Sequence, residues 1–386
     1  MPVINRIAAF ADDMTGWRRH LHENPELGFD CHETAAFVAA RLREFGIDEL
    51  HEGIASSGLV GIINGRGPGP TIGLRADMDA LPIAEETGAP YTSRNPGKMH
   101  ACGHDGHTTM LLGAARYLAE TRNFSGRVAL LFQPAEENGG GGGVMVDEGV
   151  MDRFDISQVY AMHNTPQIPV GDFHTCAGPA LAAVDDVNVT FHGKGGHAAY
   201  HDETIDPIPA AIAYAQGMAM IVARNRPPSE PLVISVTRIN AGTANNIVPQ
   251  TAFVGATVRS FSEDLRQLVA TRVHELVKGI EASYGVTAEL DYAWSYPATV
   301  NHPRETAFAA QVAREISGDD AVHTDYHPEM GAEDFSYMLQ ARPGAYLFLG
   351  QGDTAMAHHP KFDFNDEISP VGASFFARLV ERAQPV

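Results

Sequence analysis

The sequence predicts an α/β protein carrying a second module inserted into its main domain. Apolar strand patterns alternate with helical patterns from the N-terminal part until the character changes near Pro179, and again after Pro297. Between these stretches the pattern changes to period-two strands in the order β-α-β-β-α-β, which is ferredoxin-like. Residues able to bind metal gather where the strands of the first kind end. The expected architecture is a discontinuous catalytic domain, residues 1–182 and 297–386, with a mixed central sheet flanked by helices. Residues 183–296 form the insertion.

At the N-terminus, Ile4, Ile7, Ala8, Ala11 and Met14 recur at helical spacing, so an amphipathic helix is expected there rather than a signal peptide. Residues 33–45 read as a second helix. "SGLVGIING" and "TIGLRAD" read as strands, and residues 105–120 as a helix. "GRVALLFQP" and "SQVYAMHN" are further strands, separated by the low-complexity run "NGGGGG", read as a flexible loop. In the insertion, "AAVDDVNVTFHG" opens as a strand and a helix runs from Pro207 to about Arg224. "LVISVTRINA" and "NIVPQTAFVGATVRSF" read as strands. Residues 262–284 read as a long helix and "TAELDYAWS" as the closing strand. A helix in "RETAFAAQVAREI", a strand in "AYLFLG" and a last helix complete the main domain. No internal repeat is visible.

The formal net charge of -21 disfavours nucleic acid and anionic membranes as partners. It is also compatible with a saline habitat. No run approaches the ~18 apolar residues of a membrane span. Cys31, Cys102 and Cys176 are odd in number and scattered, which is no disulfide framework; a reducing cytoplasm is the expected compartment.

Chemistry concentrates at strand ends. Asp77 and Asp79 follow "TIGLR"; Cys102 and His104 precede a helix; Glu136 and Glu137 follow "VALLFQP". His163 follows "VYAM", and His358 and His359 lie in "AMAHHPKFDF". Open α/β sheets bind ligands beyond the carboxyl ends of their strands, so these groups are expected on one rim. Thiolate, imidazole and carboxylate together suit zinc and related divalent ions, and the donors suffice for two. Of two adjacent glutamates, one can bind metal while the other moves protons to and from a metal-activated water. Singly, each residue has a plainer explanation. A lone histidine is usually structural, a Glu-Glu pair is usually a solvated surface, and a cysteine is often a small buried apolar residue.

"RADMDALP", "HACGHDGHT", "PAEE", "GKGGHAA", "DPI", "NIVP", "VRSF", "GAEDF" and "HHPKFDF" occur in the order found in a metal-dependent amidohydrolase family. The chain resembles, over nearly its whole length, the hippurate hydrolase, N-acyl-amino-acid amidohydrolase and auxin-conjugate hydrolase branch of the aminoacylase and carboxypeptidase G-like metallopeptidases. The resemblance implies two divalent ions per chain (manganese, zinc, cobalt or nickel). Cys102, His104, Glu137, His163 and His358 are the implied ligands, Cys102 between the ions, and His359 is the fallback for His358. Glu136 is the implied general base. Asp77 and Asp79 occupy the motif where relatives with other ligand sets carry a metal-binding histidine and its orienting aspartate. Both are read here as orienting the ligands, as are Asp105 and His107.

The inserted module resembles the family's lid and dimerisation domain. His197 matches a histidine that stabilises the oxyanion, often across a dimer, and Asn246 and Arg259 match substrate-binding positions. A homodimer or homotetramer is implied. Two features depart from the family pattern: Tyr200 stands where proline is common, and "NGGGGG" is longer in glycine than the pattern needs. The expected reaction is hydrolysis of the amide bond of a small N-acyl amino acid. The alternatives are a dipeptidase or carboxypeptidase using the same centre and, less favoured, a non-catalytic metal-binding protein or a purely structural zinc site.

Overall fold

A computed structural model describes residues 3–386. The chain forms two compact units. The first comprises the chain up to Ala180, Val300–His327 and Asp334–Val386; the second comprises Leu181–Thr299 and Pro328–Glu333. The short return of Pro328–Glu333 to the second unit has no hydropathy signature. It is fixed by backbone pairing, with Ala182 N donating to Glu329 O and Gly331 O.

An eight-stranded mixed sheet forms the centre of the first unit. Across it lie Glu49–Ile54, Gly58–Asn64, Arg127–Gln133, Thr71–Asp77, Ile156–Pro166, Gly344–Gly352, Phe173–His174 and Val322–His323. The middle strands Arg127–Gln133, Thr71–Asp77, Ile156–Pro166 and Gly344–Gly352 run parallel. Parallel strands covered on both faces need unbroken apolar runs, and these strands are buried almost throughout. The edge strand Glu49–Ile54 is largely exposed and polar, which is why no strand pattern marks it.

Helix His104–Thr121 packs against the sheet and against the C-terminal helix Ser369–Ala383. It starts abruptly because Gly103 takes φ 99°, and a Cβ there would lie 2.0 Å from Asn164 Oδ1. Only glycine meets both demands. The cysteine and histidine on either side are thereby set at the helix start.

Two expectations are corrected here. The N-terminal periodicity spans a break: Asn5–Ala8 and Ala11–Glu23 are separate helices, because Phe10 leaves helical geometry and inserts into the core with Ile7 and Met14. The "NGGGGG" run is no flexible loop. Gly140 at φ 67° starts helix Gly141–Asp147, whose glycines are buried. They are needed because backbone passes at close range: Gly141 N donates to Ala135 O at 3.0 Å and Gly142 N to Asp334 Oδ2 at 2.8 Å.

The second unit has a four-stranded antiparallel sheet. Its order is Leu232–Ala241, Thr251–Ser260, Ala183–His192, Thr287–Trp294, the ferredoxin-like order. Helices Pro207–Arg224 and Glu263–Tyr284 close one face over Val187, Val189, Phe191 and Val254. Asp206 caps the first helix, with Pro207 in its first turn, and Ser262 caps the second. "NIVPQTAFVGATVRSF" divides at Pro249 into Ile247–Val248, paired with Gly196–His197, and Thr251–Ser260. Among the described residues no helix is long and apolar enough to cross a membrane.

Candidate metal centre

The loops beyond the carboxyl ends of the central strands converge on Cys102. Two donor sets share it: Cys102, His104 and His163, and Cys102, Glu137 and His358, with the ligand atoms of each set within 4.8 Å of one another. Cys102 Sγ lies 3.4 Å from His163 Nε2. Glu137 Oε1 lies 3.4 Å from His358 Nε2 and 3.9 Å from His104 Nε2. Glu136 is buried at 7 % exposure and groups with His104 and Glu137.

The outward nitrogen of each inner histidine is fixed by a carbonyl, which can only accept. His104 Nδ1 donates to Asp79 O at 2.8 Å, and His163 Nδ1 donates to Asn164 O at 2.6 Å. Each Nε2 is therefore turned toward the cluster, where it would offer a lone pair once deprotonated for metal binding. Among the described residues, His104 Nε2 and Glu137 Oε1 are buried without a well-formed hydrogen bond, their nearest charged neighbours standing 3.4–3.9 Å away. Such orphans cost ~1–3 kcal/mol each, so a centre that crowds them together fits a cation. The mixed sulfur, nitrogen and oxygen donors suit a borderline divalent ion.

Of the adjacent histidines, His358 reaches the cluster. Its backbone, at φ 65°, donates from N to Ala101 O, which turns the ring toward Glu137 and Cys102. His359 Nδ1 instead accepts from Lys361 N. The polar contacts with Cys102 and Glu137 raise His358 to about 10 in the metal-free protein. Burial pushes the Cys102 thiol up. Burial also opposes charge on His104, yet Asp77 and Asp79 hold that imidazole well above its ordinary value.

Asp77 and Asp79 do different work. The Asp79 carboxylate accepts from the backbone N–H of Glu136 at 3.0 Å and of Glu137 at 3.2 Å, so it positions the segment bearing both glutamates. Asp77 joins His107 at 2.6 Å and Arg75 at 2.7 Å, and lies 3.8 Å from His104 Nε2. His107 in turn meets Asn164, whose carbonyl holds His163. Asp105 faces elsewhere. It binds His22 Nδ1 at 2.8 Å with Arg18 at 3.8 Å, and none of its hydrogen bonds among the described residues reaches a candidate ligand. The helix turn places Asp105 and His104 on different faces, so sequence adjacency does not carry it to the cluster.

Sequence reasoning missed the support beneath Asp77. Buried Arg75 binds Asp77, Gln133 and Asp334, and Asp334 also takes the N–H of Gly142. The available signal was a charged residue inside an otherwise apolar strand.

Comparison with known proteins agrees with this geometry. The profile of peptidase family M20/M25/M40 matches residues 73–382. The chain belongs to this family. It is 38% identical over 379 residues to a hippurate hydrolase of Campylobacter jejuni, covering 98% of each chain. It is 39% identical over 393 residues to thermostable carboxypeptidase 2 of Saccharolobus solfataricus, again covering 98% of each. A crystal structure of a Bacillus subtilis protein, described as a dinuclear metal-binding peptidase of the M20 family, superposes with a TM-score of 0.85 at 34% identity, covering 98% of this chain and 99% of that one. Membership of the M20/M25/M40 family makes the chain a hydrolase of amide or peptide bonds.

The remaining candidates lie in the second unit. His197 and Asn246 are exposed and adjacent, with Ala198 N donating to Asn246 O, and His197 Nδ1 accepts from Ala199 N. Arg259 sits half-buried near the end of strand Thr251–Ser260. Burial lowers the affinity of its guanidinium for the proton, against Asp186 and Asp185.

Proposed function

We propose that the chain hydrolyses the amide bond of N-acyl amino acids. Two divalent ions would be held by Cys102, His104, Glu137, His163 and His358, with Cys102 common to both. The observation that carries the reading is the pair of donor sets meeting at Cys102, with His104 Nε2 and Glu137 Oε1 buried without a well-formed hydrogen bond among the described residues and Glu136 beside them. The similarity to a hippurate hydrolase adds the substrate class.

When bound, the ions polarise the amide carbonyl and bring the pKa of water toward neutrality. Glu136 accepts the proton of the attacking water and passes it to the departing amine. Asp79 keeps Glu136 in reach by holding its backbone N–H. Asp77 and His107 steady the histidines, so the donor set is preorganised. For His197 as oxyanion partner, and for Asn246 and Arg259 as substrate ligands, the support is the motif match, together with the suitability of a guanidinium for a substrate carboxylate.

A carboxypeptidase or dipeptidase reading is retained because a relative at 39% identity is named a carboxypeptidase. A homodimer is proposed on the exposed Ile212 and Met220 of helix Pro207–Arg224 and the exposed Ile239 of the sheet-edge strand; light scattering reads it.

The deciding assay is amine release from a panel of N-acyl amino acids and dipeptides by chelated protein restored with manganese, zinc, cobalt or nickel. Metal-dependent release from acyl amino acids is expected. Release from dipeptides alone shifts the reading to a peptidase. Glu136→Gln is expected to keep its metal and lose ~10²–10⁴-fold in turnover; near-normal turnover removes Glu136 as the base.

A further inference from the structure

A second group of metal donors lies outside the catalytic cluster. Strand Phe173–His174 runs parallel to strand Val322–His323, with His174 and His323 in register. In-register residues of neighbouring strands share a face, and the rings stack with centroids 4.4 Å apart. Asp172 lies just before strand Phe173–His174, in the segment that leads into it. Asp172 Oδ2 lies 3.7 Å from His323 Nε2. One ligand atom from each of Asp172, His174 and His323 falls within 4.8 Å of the other two.

We propose that Asp172, His174 and His323 form an additional binding site for a divalent transition ion of the zinc, nickel or copper class. A second observation points the same way: among the described residues His174 Nε2 is buried and has no hydrogen-bond partner. A merely stacked histidine pair leaves that nitrogen unsatisfied, whereas a cation uses it. Tyr326 sets its ring edge-on to His174 and packs on Phe348, walling one side. Two imidazoles and one carboxylate favour zinc, nickel or copper over magnesium or calcium, which prefer all-oxygen shells. The His323 side chain is 42% exposed, so water would be able to complete the coordination.

The site would clamp the two-residue strand Val322–His323 to the sheet. This is the last regular element before the chain passes to Pro328–Glu333. Three donors and an exposed edge make it a staple weaker than the catalytic cluster, one that fills after the cluster does.

The test uses full-length protein, stripped with chelator, saturated with zinc, desalted and assayed for bound metal. Wild type is expected to hold one more equivalent of zinc than His323→Gln or His174→Gln. Both variants should retain turnover, since neither residue belongs to the Cys102 cluster. His323→Gln alters an exposed side chain and guards against misfolding of the other variant. Anomalous diffraction at the zinc edge is expected to show a peak ~2.0–2.1 Å from a nitrogen of each ring. Equal zinc content in wild type and both variants, or no peak there while the Cys102 cluster is occupied, overturns the proposal. The readout is independent of substrate, so a failure of the amidohydrolase reading leaves it intact, and the converse holds too.

Discussion

Replacing Gly141 by alanine sets two effects of opposite sign against each other. Gly141 opens helix Gly141–Asp147, and its backbone is helical, so propensity alone favours alanine by about 1 kcal/mol. The structure reverses that sign. A Cβ at Gly141 would lie 1.8 Å from the carbonyl oxygen of Pro134 and 2.9 Å from its carbonyl carbon. Both obstacles are backbone, so no rotamer change relieves them. Restoring ordinary contact requires a shift of roughly 1.6 Å. Overpacking of this kind costs ~1–3 kcal/mol, which exceeds the propensity gain. Pro134 leads directly into Ala135, Glu136 and Glu137, so the strain falls on the segment that carries the proposed base and a proposed ligand. A misplacement of ~1 Å costs about 10²-fold in turnover. Gly16→Ala is the control, because Gly16 lies in helix Ala11–Glu23 with nothing within 4 Å of its added Cβ. Urea unfolding and metal-loaded turnover should show Gly141→Ala destabilised and slow, and Gly16→Ala more stable by ~0.5–1 kcal/mol with full activity. If Gly141→Ala is as stable and active as wild type, the close approach to Pro134 does not shape the site and the reasoning fails.

Three further outcomes are expected. Asp79→Asn loses an acceptor for the Glu136 and Glu137 N–H groups and should weaken metal binding by ~10–100-fold in calorimetric titration, whereas unchanged affinity would show that this contact is passive. His22 is raised from 6.5 to about 9, because its hydrogen bonds to Asp105 and Glu85 outweigh the burial that opposes charge. Its contribution, on the order of 3 kcal/mol, is complete below the unfolded value and is lost as pH rises through the folded one. The stability gap between wild type and His22→Gln should therefore shrink between pH ~6 and pH ~10 in urea titrations, and a constant gap would refute the assignment. Chelation should lower the unfolding midpoint yet preserve the far-ultraviolet circular dichroism, since the main core is apolar and distributed across the sheet and its helices. A site at a hundredfold excess over its Kd contributes only about 2.7 kcal/mol. Unfolding on chelation would instead indicate a structural metal.

The local features of the site were legible because they are encoded locally. "HACGHDGHT" places a thiol and an imidazole around a glycine that must start a helix, and "PAEE" follows an apolar strand directly. The parallel strands announced themselves as apolar runs, and the inserted module as period-two strands in β-α-β-β-α-β order. Periodicity reports the environment along one segment, so it reaches this far and no further.

What tertiary structure alone decided is which segments meet. Arg75 supports Asp77 together with Asp334, 259 positions away, and no local pattern links the two. The choice between His358 and His359 follows from one backbone bond to Ala101. The glycine run reads as mobile in sequence because glycine is entropically costly to order, yet contacts with Pro134 and Asp334 make small residues obligatory there. Asp105 neighbours a candidate ligand in sequence but faces His22, because successive helix positions point apart. His174 and His323 come into register only through the pairing of two-residue strands too short to carry any period. Sequence determined the donors and the elements that present them; the long-range pairing of those elements decided which donors share a cation and which merely stand beside one.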